Sequence, residues 1–171
     1  MSTEKYKSIA ANLKLEGRAY INGKYVDAID GAKFETINPA TGETLCSIAK
    51  CNNKDVELAV KVSRKVFENG IWSRSTPEHR KEVLLNFAKL LSDQGEENSV
   101  LESIDTGKLI VDCINEVAND APMHFQWYGE LIDKVFGKVG PTDPSITSLI
   151  VKEPIGVIAG IVPWNFPLMM A

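Results

Sequence analysis

Asn165 is the residue whose type and setting first suggest chemistry. It lies between Trp164 and Phe166, with one proline before this aromatic pair and another after it. Each proline fixes its own φ and disfavours the helical region for the residue before it, so Val162 and Phe166 are expected to be extended. The pattern predicts a stiff, non-helical elbow whose uncharged amide can donate to a developing oxyanion without titrating. The alternative is that Asn165 only satisfies a tight turn, a common role for asparagine.

The cysteines offer no comparable pattern. The chain has three of them, Cys46, Cys51 and Cys113. Cys46 and Cys51 lack a second pair of ligands nearby, and His79 and His124 lie far along the chain, which disfavours a zinc site. An odd number of cysteines without a secretory signal is typical of reduced thiols and predicts a cytoplasmic protein. Each cysteine is interpreted as a small buried apolar residue.

Charge disfavours several classes of partner. The 171 residues carry a formal net charge of −4, and lysine and arginine form no basic run. This balance argues against nucleic acid and anionic membranes as partners. Residues 155–171 contain no charged side chain, but Pro163 and Pro167 interrupt this run and disfavour a membrane-spanning helix.

The elements before the elbow are predicted to be β-rich at first. Asn22-Gly23 lies between two short β-prone runs and is the strongest hairpin signal, since both residues tolerate positive φ. Further strands are predicted over 34–37 and 44–49. Much later, a turn-rich linker over 137–145 precedes two strand-like runs, at 147–152 and 155–162.

Three helices are predicted after the first strands. Asn53 is expected to cap the first, and Gly70 to end it. The second begins at Pro77 after the N-cap Thr76, and a third, shorter helix ends at Gly107. The buried side of the second helix is predicted to consist of its apolar residues: Val83, Leu84, Phe87, Ala88, Leu90 and Leu91.

A fourth and longer helical pattern covers 110–136. Its apolar residues form one seam at alternating spacings of four and three, which predicts core packing. The seam consists of Ile114, Ala118, Ala121, Phe125, Tyr128, Ile132 and Val135. Pro122 predicts a kink, or a fresh start capped by Asn119 or Asp120. Glu116 and Asp120 are four residues apart and should share a face of this helix.

Three motifs resemble the aldehyde dehydrogenase superfamily. They are Ile37-Asn38-Pro39-Ala40-Thr41-Gly42-Glu43, Leu101-Glu102-Ser103-Ile104-Asp105-Thr106-Gly107-Lys108 and Pro163-Trp164-Asn165-Phe166-Pro167. They follow the order of the family, and Trp127-Tyr128 resembles the γ-glutamyl-aminobutyraldehyde and betaine-aldehyde members. The resemblance implies an α/β fold of which this chain forms the N-terminal portion. That portion is expected to be helix-rich, with short β-hairpins and the start of an open cofactor-binding sheet.

The resemblance also divides the chain into four parts. Residues 1–17 are a lead-in, and 18–137 form the N-terminal part of the cofactor-binding domain. Residues 138–160 are the oligomerisation hairpin region, and 161–171 begin the strand and elbow at the cofactor and active site. Members of the family are much longer, so the chain is interpreted as a fragment. It lacks the family's nucleophilic cysteine and base glutamate and is expected to be inactive alone.

Roles for individual residues follow from the same resemblance. Asn165 is expected to be the catalytic oxyanion donor. The strand end beside the cofactor corresponds to Ile161, Val162, Pro163 and Trp164. The aldehyde site corresponds to Phe166, Met170, Glu116 and Asp120. The two carboxylates would suit a cationic or amino-bearing aldehyde, although a solvated acidic face is the alternative. Asp105, with the backbone at Ile37, matches a monovalent-cation site, although Asp105 could instead cap the end of its helix.

The implied activity is the NAD(P)-dependent oxidation of an aldehyde to a carboxylic acid. A cysteine thiolate attacks the carbonyl, hydride leaves to the nicotinamide, and water hydrolyses the thioester. NAD is the expected cofactor in preference to NADP, and a homodimer or homotetramer is the expected assembly. The alternative function is a non-catalytic fragment that associates with intact subunits.

Overall fold

The computed structural model describes residues 3–171, and its elements are mostly helical. The helices are α1 (Thr3–Asn12), α2 (Asn53–Asn69), α3 (Pro77–Asp93), α4 (Gly95–Thr106), α5 (Ile110–Cys113), a π-helical segment (Ile114–Asp120), α6 (Ala121–Leu131), a 3₁₀ turn (Ile132–Lys134) and α7 (Pro167–Met170). The strands are β1 (Ala19–Ile21), β2 (Lys24–Val26), β3 (Lys33–Ile37), β4 (Thr44–Ala49), β5 (Lys138–Gly140) and β6 (Ser148–Ile150). The expected helix-rich portion with short hairpins is confirmed.

The strands form three separate antiparallel pairs, β1–β2, β3–β4 and β5–β6. The first hairpin turns at Asn22 and Gly23, whose φ values of 56° and 76° are the positive values that a tight hairpin turn requires. This prediction is confirmed, and β4 has the predicted bounds. The prediction of a plain linker over 137–145 is wrong, because β5 lies within it and pairs with β6.

Residues 155–162 form no strand, so the strand predicted there is wrong. Ile155 and Ile161 are 92% and 99% exposed. A β-prone run becomes a strand only when a neighbouring strand pairs with it, and the part of the chain that the structure describes supplies none. No parallel pairing occurs among residues 3–171, so the start of an open sheet stays a prediction.

Helix α2 begins one residue earlier than the sequence suggested. The N-cap is Asn52, whose side chain accepts from the backbone N–H of Lys54, so the prediction of Asn53 as the cap is wrong. Asp55 completes a capping box: one carboxylate oxygen accepts from the backbone N–H of Asn52 at 2.8 Å. The other accepts from the backbone N–H of Ile29 at 2.9 Å and so joins the preceding loop to the helix. At the other end, Gly70 closes α2 with a φ of 79°, as predicted.

Helix α3 begins as predicted, with Thr76 as N-cap and Pro77 in the first turn. It packs along α6, where the rings of Phe87 and Phe125 meet edge to face at 4.7 Å between centroids. Only part of its predicted buried side is buried, namely Ala88 and Leu91. The predicted burial is wrong for three residues that stay exposed among the described residues: Val83, Phe87 and Leu90.

The long helical pattern is continuous, but its hydrogen-bond spacing widens over one segment. Residues 114–120 form a π-helical segment, and the backbone N–H of Ala121 donates to Glu116 O, five residues back. Asp120 has helical dihedral angles and caps nothing, so the predicted fresh start at Asn119 or Asp120 is wrong. The missing N–H of Pro122 is accommodated where the wider turn returns to α-helix, a recognised use of π segments.

The core of the described chain lies where α4 packs against the π-helical segment. Val117 and Cys113 are among its most deeply buried residues. In the predicted seam Ala121 is buried, whereas Tyr128 and Val135 are exposed, so the predicted burial is wrong for these two. None of the helices in residues 3–171 has the length and apolar character needed to cross a bilayer.

Candidate functional site

The elbow, which we define as residues 163–170, is a turn followed by one helical turn. The backbone N–H of Phe166 donates to Pro163 O at 3.4 Å, and that of Met170 donates to Phe166 O at 3.1 Å. Phe166 has φ −142° and ψ 53°, so its φ is extended as expected while its ψ turns the chain into α7. The prolines thus place Asn165 inside a non-helical bend between two stiff residues.

Asn165 is half-buried, and its side chain forms no hydrogen bond to any residue in 3–171. Backbone groups of Pro163 and Phe166, not the Asn165 amide, close the turn. No hydrogen bond within residues 3–171 therefore occupies the amide. Its two N–H groups are available to an external acceptor.

Beside the elbow lies a buried ionic group that we call the lysine cluster: Glu102, Lys108 and Glu116. Lys108 Nζ lies 3.4 Å from Glu102 Oε1 and forms a close ion pair with Glu116. The Lys108 and Glu102 side chains are only 16% and 5% exposed. Lys108 comes from the loop after α4, Glu102 from α4 and Glu116 from the π-helical segment, so the cluster joins three parts of the chain.

The elbow contacts this cluster directly. Lys108 Nζ lies 4.1 Å from the centroid of the Phe166 ring, well within the range of a cation–π interaction. Helix α7 also packs against the π-helical segment and α6. The residue that follows Asn165 is therefore held by a cation that is itself fixed by two carboxylates.

Electrostatics keep Lys108 charged. Burial lowers the pKa of Lys108, but Glu116 and Glu102 outweigh burial, so that this pKa ends above its ordinary value. Burial raises the pKa of Glu102, against the opposing effects of the Lys108 ammonium and the backbone N–H of Leu168. The lysine therefore remains an ammonium ion at neutral pH.

The two members of the acidic pair singled out in the sequence both lie in the π-helical segment. Glu116 lies in the lysine cluster, whereas Asp120 is half-buried and makes no ion pair within residues 3–171. The two carboxylates therefore differ in their surroundings, and only Glu116 is compensated by a lysine within the described residues.

Other predicted site residues fall into two groups. Met170 lies in an apolar cleft of about 380 Å³ between α3, α6 and the chain end, lined also by Leu84, Phe125 and Tyr128. Ile161 and Trp164 are exposed, and no contact in the described chain defines a cofactor site around them. The predicted role of Ile161 and Trp164 at the cofactor therefore stays a prediction.

Asp105 lies at the end of α4 next to strand β3. The Thr36 hydroxyl donates to Asp105 Oδ1 at 2.7 Å, which brings Asp105 close to the backbone at Ile37. Gly107, with φ 78°, is the C-cap of α4, so the alternative of Asp105 as the cap is wrong. Among residues 3–171 no three histidine, cysteine or acidic side chains are grouped as metal ligands.

The thiols of this chain are poor nucleophiles. Burial raises the pKa of Cys113 to about 11, and burial also raises the pKa values of Cys46 and Cys51. Since the thiolate is the attacking species, a raised pKa suppresses attack at neutral pH. The interpretation as a buried apolar residue is confirmed for Cys113 but is wrong for Cys51, which is exposed, and Cys46 is only half-buried.

The sequence did not predict the ion pairs of Lys108 or its contact with the elbow. Lys108 and Glu102 both belong to the second of the three family motifs, but no local pattern indicates that Lys108 meets Phe166. The available signal was a lysine flanked by acidic residues six before and eight after it, which is a weak pattern by itself.

Residues 25–171 match the model of the aldehyde dehydrogenase family. This match covers most of the chain, including the elbow and the lysine cluster. The chain belongs to the aldehyde dehydrogenase family, and the resemblance inferred from its motifs is confirmed.

Individual relatives agree with this family assignment. Aminoacetaldehyde dehydrogenase of Pseudomonas aeruginosa is 42% identical over 170 residues, which is 99% of this chain and 34% of that protein. The NADP/NAD-dependent aldehyde dehydrogenase PuuC of Escherichia coli is 44% identical over 161 residues, 94% of this chain and 32% of that protein. The chain thus spans about a third of the length of these relatives.

A solved structure agrees with this placement. The γ-glutamyl-γ-aminobutyraldehyde dehydrogenase of Burkholderia cenocepacia superposes with a TM-score of 0.96 at 39% identity. The match covers 99% of this chain and 34% of that one. The described fold is therefore that of the corresponding part of an aldehyde dehydrogenase.

Proposed function

We propose that the protein carrying this chain oxidises an aldehyde to a carboxylic acid, with Asn165 as the oxyanion donor. The unengaged, half-buried Asn165 amide on a proline-fixed elbow is the observation that carries the proposal. When a thiolate adds to the aldehyde carbonyl, negative charge develops on its oxygen. A preorganised neutral amide stabilises that charge, whereas a carboxylate would repel it.

The attacking thiolate comes from outside these 171 residues. The raised pKa values of Cys46, Cys51 and Cys113 leave little thiolate at neutral pH. We therefore propose that this chain contributes the oxyanion donor and one wall of the site, and that it does not turn over substrate alone.

The cofactor is NAD or NADP, and we favour NAD. It would accept hydride from the substrate, and its nicotinamide side would lie beside the strand end formed by Ile161, Val162, Pro163 and Trp164. The similarity to the NADP/NAD-dependent enzyme of Escherichia coli supports this class of cofactor. The exposure of Ile161 and Trp164 is compatible with a partner group covering them.

The substrate is proposed to be an aldehyde with an amino group at the far end. Phe166 and Met170 would line the apolar passage, and Glu116 and Asp120 would provide negative charge. Because Lys108 compensates Glu116, Asp120 is the carboxylate with charge to spare. The names of relatives acting on aminoacetaldehyde and γ-glutamyl-γ-aminobutyraldehyde support an amino-bearing substrate.

Asp120→Ala tests the substrate class. We expect the KM for an aminoaldehyde to rise far more than the KM for an uncharged aldehyde of equal length. Asp112→Ala, an exposed carboxylate on α5, is the matched control. Equal changes for both aldehydes would remove Asp120 from the substrate site.

A monovalent-cation site is a further part of the proposal. Asp105 and the backbone at Ile37 would hold the cation, and the hydrogen bond from Thr36 to Asp105, which brings the two groups close together, supports this site.

The protein is proposed to be a cytoplasmic homodimer or homotetramer. A second candidate function is a non-catalytic chain that associates with intact subunits, for which the exposed apolar hairpin residues Val139 and Leu149 provide a surface.

The deciding experiment measures the natural protein's intact mass and its aldehyde-dependent NADH formation on the same sample. Asn165→Ala should lower kcat on the order of 10²- to 10³-fold, as removal of one oxyanion donor does elsewhere. KM for NAD should hardly change. Asn86→Ala, an exposed asparagine on α3, should leave kcat unaltered.

Two results would reject the proposal. An Asn165→Ala enzyme that keeps its full kcat would remove the oxyanion role. A natural protein of 171 residues that produces no NADH from any aldehyde would favour the associating chain instead.

A further inference from the structure

The lysine cluster contacts the elbow at the residue that follows Asn165. Lys108 Nζ lies 4.1 Å from the centre of the Phe166 ring. Helix α7, which begins at the next residue, packs against the π-helical segment that carries Glu116. A shift of Lys108 would therefore be passed through the Phe166 ring to the backbone that carries Asn165.

The cluster is too buried to be an ordinary surface ion pair. Its carboxylates are 5% and 20% exposed, and the lysine between them is 16% exposed. Exposed pairs such as Lys89–Asp93 contribute little to stability, whereas a desolvated cation over a ring interacts strongly with it. Breaking a buried pair also leaves an uncompensated charge, so the arrangement is held tightly.

Helix α4 has contacts with its neighbours besides the cluster. It packs on the π-helical segment, Val100 and Val117 are buried, and the Ser99 hydroxyl lies within hydrogen-bond distance of Gly95 O and Cys113 O. The ammonium of Lys108, in contrast, is directed at its two carboxylates and at the Phe166 ring.

We propose that Lys108 is a positioning residue for aldehyde oxidation: held by Glu102 and Glu116, it fixes the Phe166 ring and through it the place of the Asn165 amide. The inference rests on the proposed function. It makes Lys108 neither a proton donor nor a substrate ligand. Its effect on the reaction passes through Asn165.

A double-mutant cycle tests this role in the natural protein. Lys108→Met keeps a long apolar side chain but removes the charge. It should lower kcat roughly 10- to 100-fold, the size of effect that a misplaced catalytic group produces, while KM for NAD stays near its original value. Lys108→Arg retains a cation that can stack on the ring, and should recover most of the activity.

The cycle is completed in the Asn165→Ala background. There, Lys108→Met should cause less than about a threefold further loss, because the group that it positions is already gone. A merely structural lysine would instead lower kcat by the same factor in both backgrounds. Lys89→Met, which removes an exposed paired lysine, is the matched control and should leave kcat unchanged in both.

A second variant covers the case in which Lys108→Met does not fold. Glu102→Gln preserves the shape of that side chain but removes one charge that holds the lysine. It should lower kcat by a smaller factor, and that loss should also vanish in the Asn165→Ala background.

The outcomes separate this inference from the function on which it rests. A parent protein without aldehyde-dependent turnover rejects the proposed function, and this inference falls with it. Normal kcat in Lys108→Met beside a large loss in Asn165→Ala rejects only the positioning role. Equal losses from Lys108→Met in both backgrounds reject it as well.

Discussion

Replacing Asp55 with alanine should destabilise the start of α2 and the loop before it. Asp55 is 2% exposed, and its two carboxylate oxygens accept separate backbone N–H groups, from Ile29 at 2.9 Å and from Asn52 at 2.8 Å. One side chain thus closes the helix end and fixes the position of the 27–30 loop. Alanine offers no acceptor to either donor.

The magnitude follows from the two bonds. A hydrogen bond to a charged acceptor contributes about 1.5–3 kcal/mol, which gives an upper range of about 3–6 kcal/mol for the pair. Ile29 is largely exposed and Asn52 half-buried, so water recovers part of this loss, and we expect about 2–4 kcal/mol. Asp55→Asn keeps one acceptor oxygen and should lose roughly half as much.

Hydrogen–deuterium exchange provides a local assay in the natural protein. The amides of Ile29 and Asn52 should exchange faster in Asp55→Ala, and their opening free energy should fall by the stated amount. Glu57→Ala, an exposed carboxylate one turn away from the cap, should leave both amides unchanged. An Asp55→Ala protein within about 0.5 kcal/mol of the parent, the range of ordinary surface substitutions, would refute the reasoning.

Three further predictions concern other parts of the chain. Gly107→Ala should lower the temperature at the midpoint of unfolding, since φ is 78° and the new Cβ would lie 2.7 Å from a carbon of Pro39. Gly160, which has no positive φ and no atom near the position of a new Cβ, should tolerate the same change. In the native protein an alkylating reagent should modify exposed Cys51 well before Cys113, whose buried thiol should react only after unfolding; equal rates would contradict its raised pKa of about 11. The pKa of Asp133 is lowered to about 2, chiefly by a hydrogen bond from Lys134. The stabilising contribution of this carboxylate is therefore present above its ordinary pKa of 3.8 and is lost as pH falls towards 2. Asp133→Asn should reduce the pH dependence of the free energy of unfolding in that range, and an unchanged pH dependence there would exclude the contribution.

Local rules predicted the features that depend on neighbouring residues. Asn22 and Gly23 require only their own φ preferences, and the Thr76–Pro77 helix start needs only a capping oxygen and a fixed φ. The bend around Asn165 follows in the same way from its two prolines. These features do not depend on what the rest of the chain does.

The remaining features depend on contacts between distant segments. Residues 155–162 have β-prone side chains, but a strand needs a partner, and local pattern cannot provide one. The lysine cluster requires α4, the π-helical segment and the elbow to meet, so the sequence around Lys108 alone gives no sign of it. A seam spaced by fours and threes also looks the same whether one turn is widened or not.

The widened turn at residues 114–120 has a consequence for how members of a family can diverge. A π-helical turn amounts to one residue inserted into an otherwise regular helix, and the flanking turns keep their phase. Deletion of one residue there would convert the segment to regular α-helix, while α3 and α6 kept their packing. The change would alter only which side chains face Lys108 and α7. A single insertion or deletion could therefore change the side chains around the elbow without changing the fold.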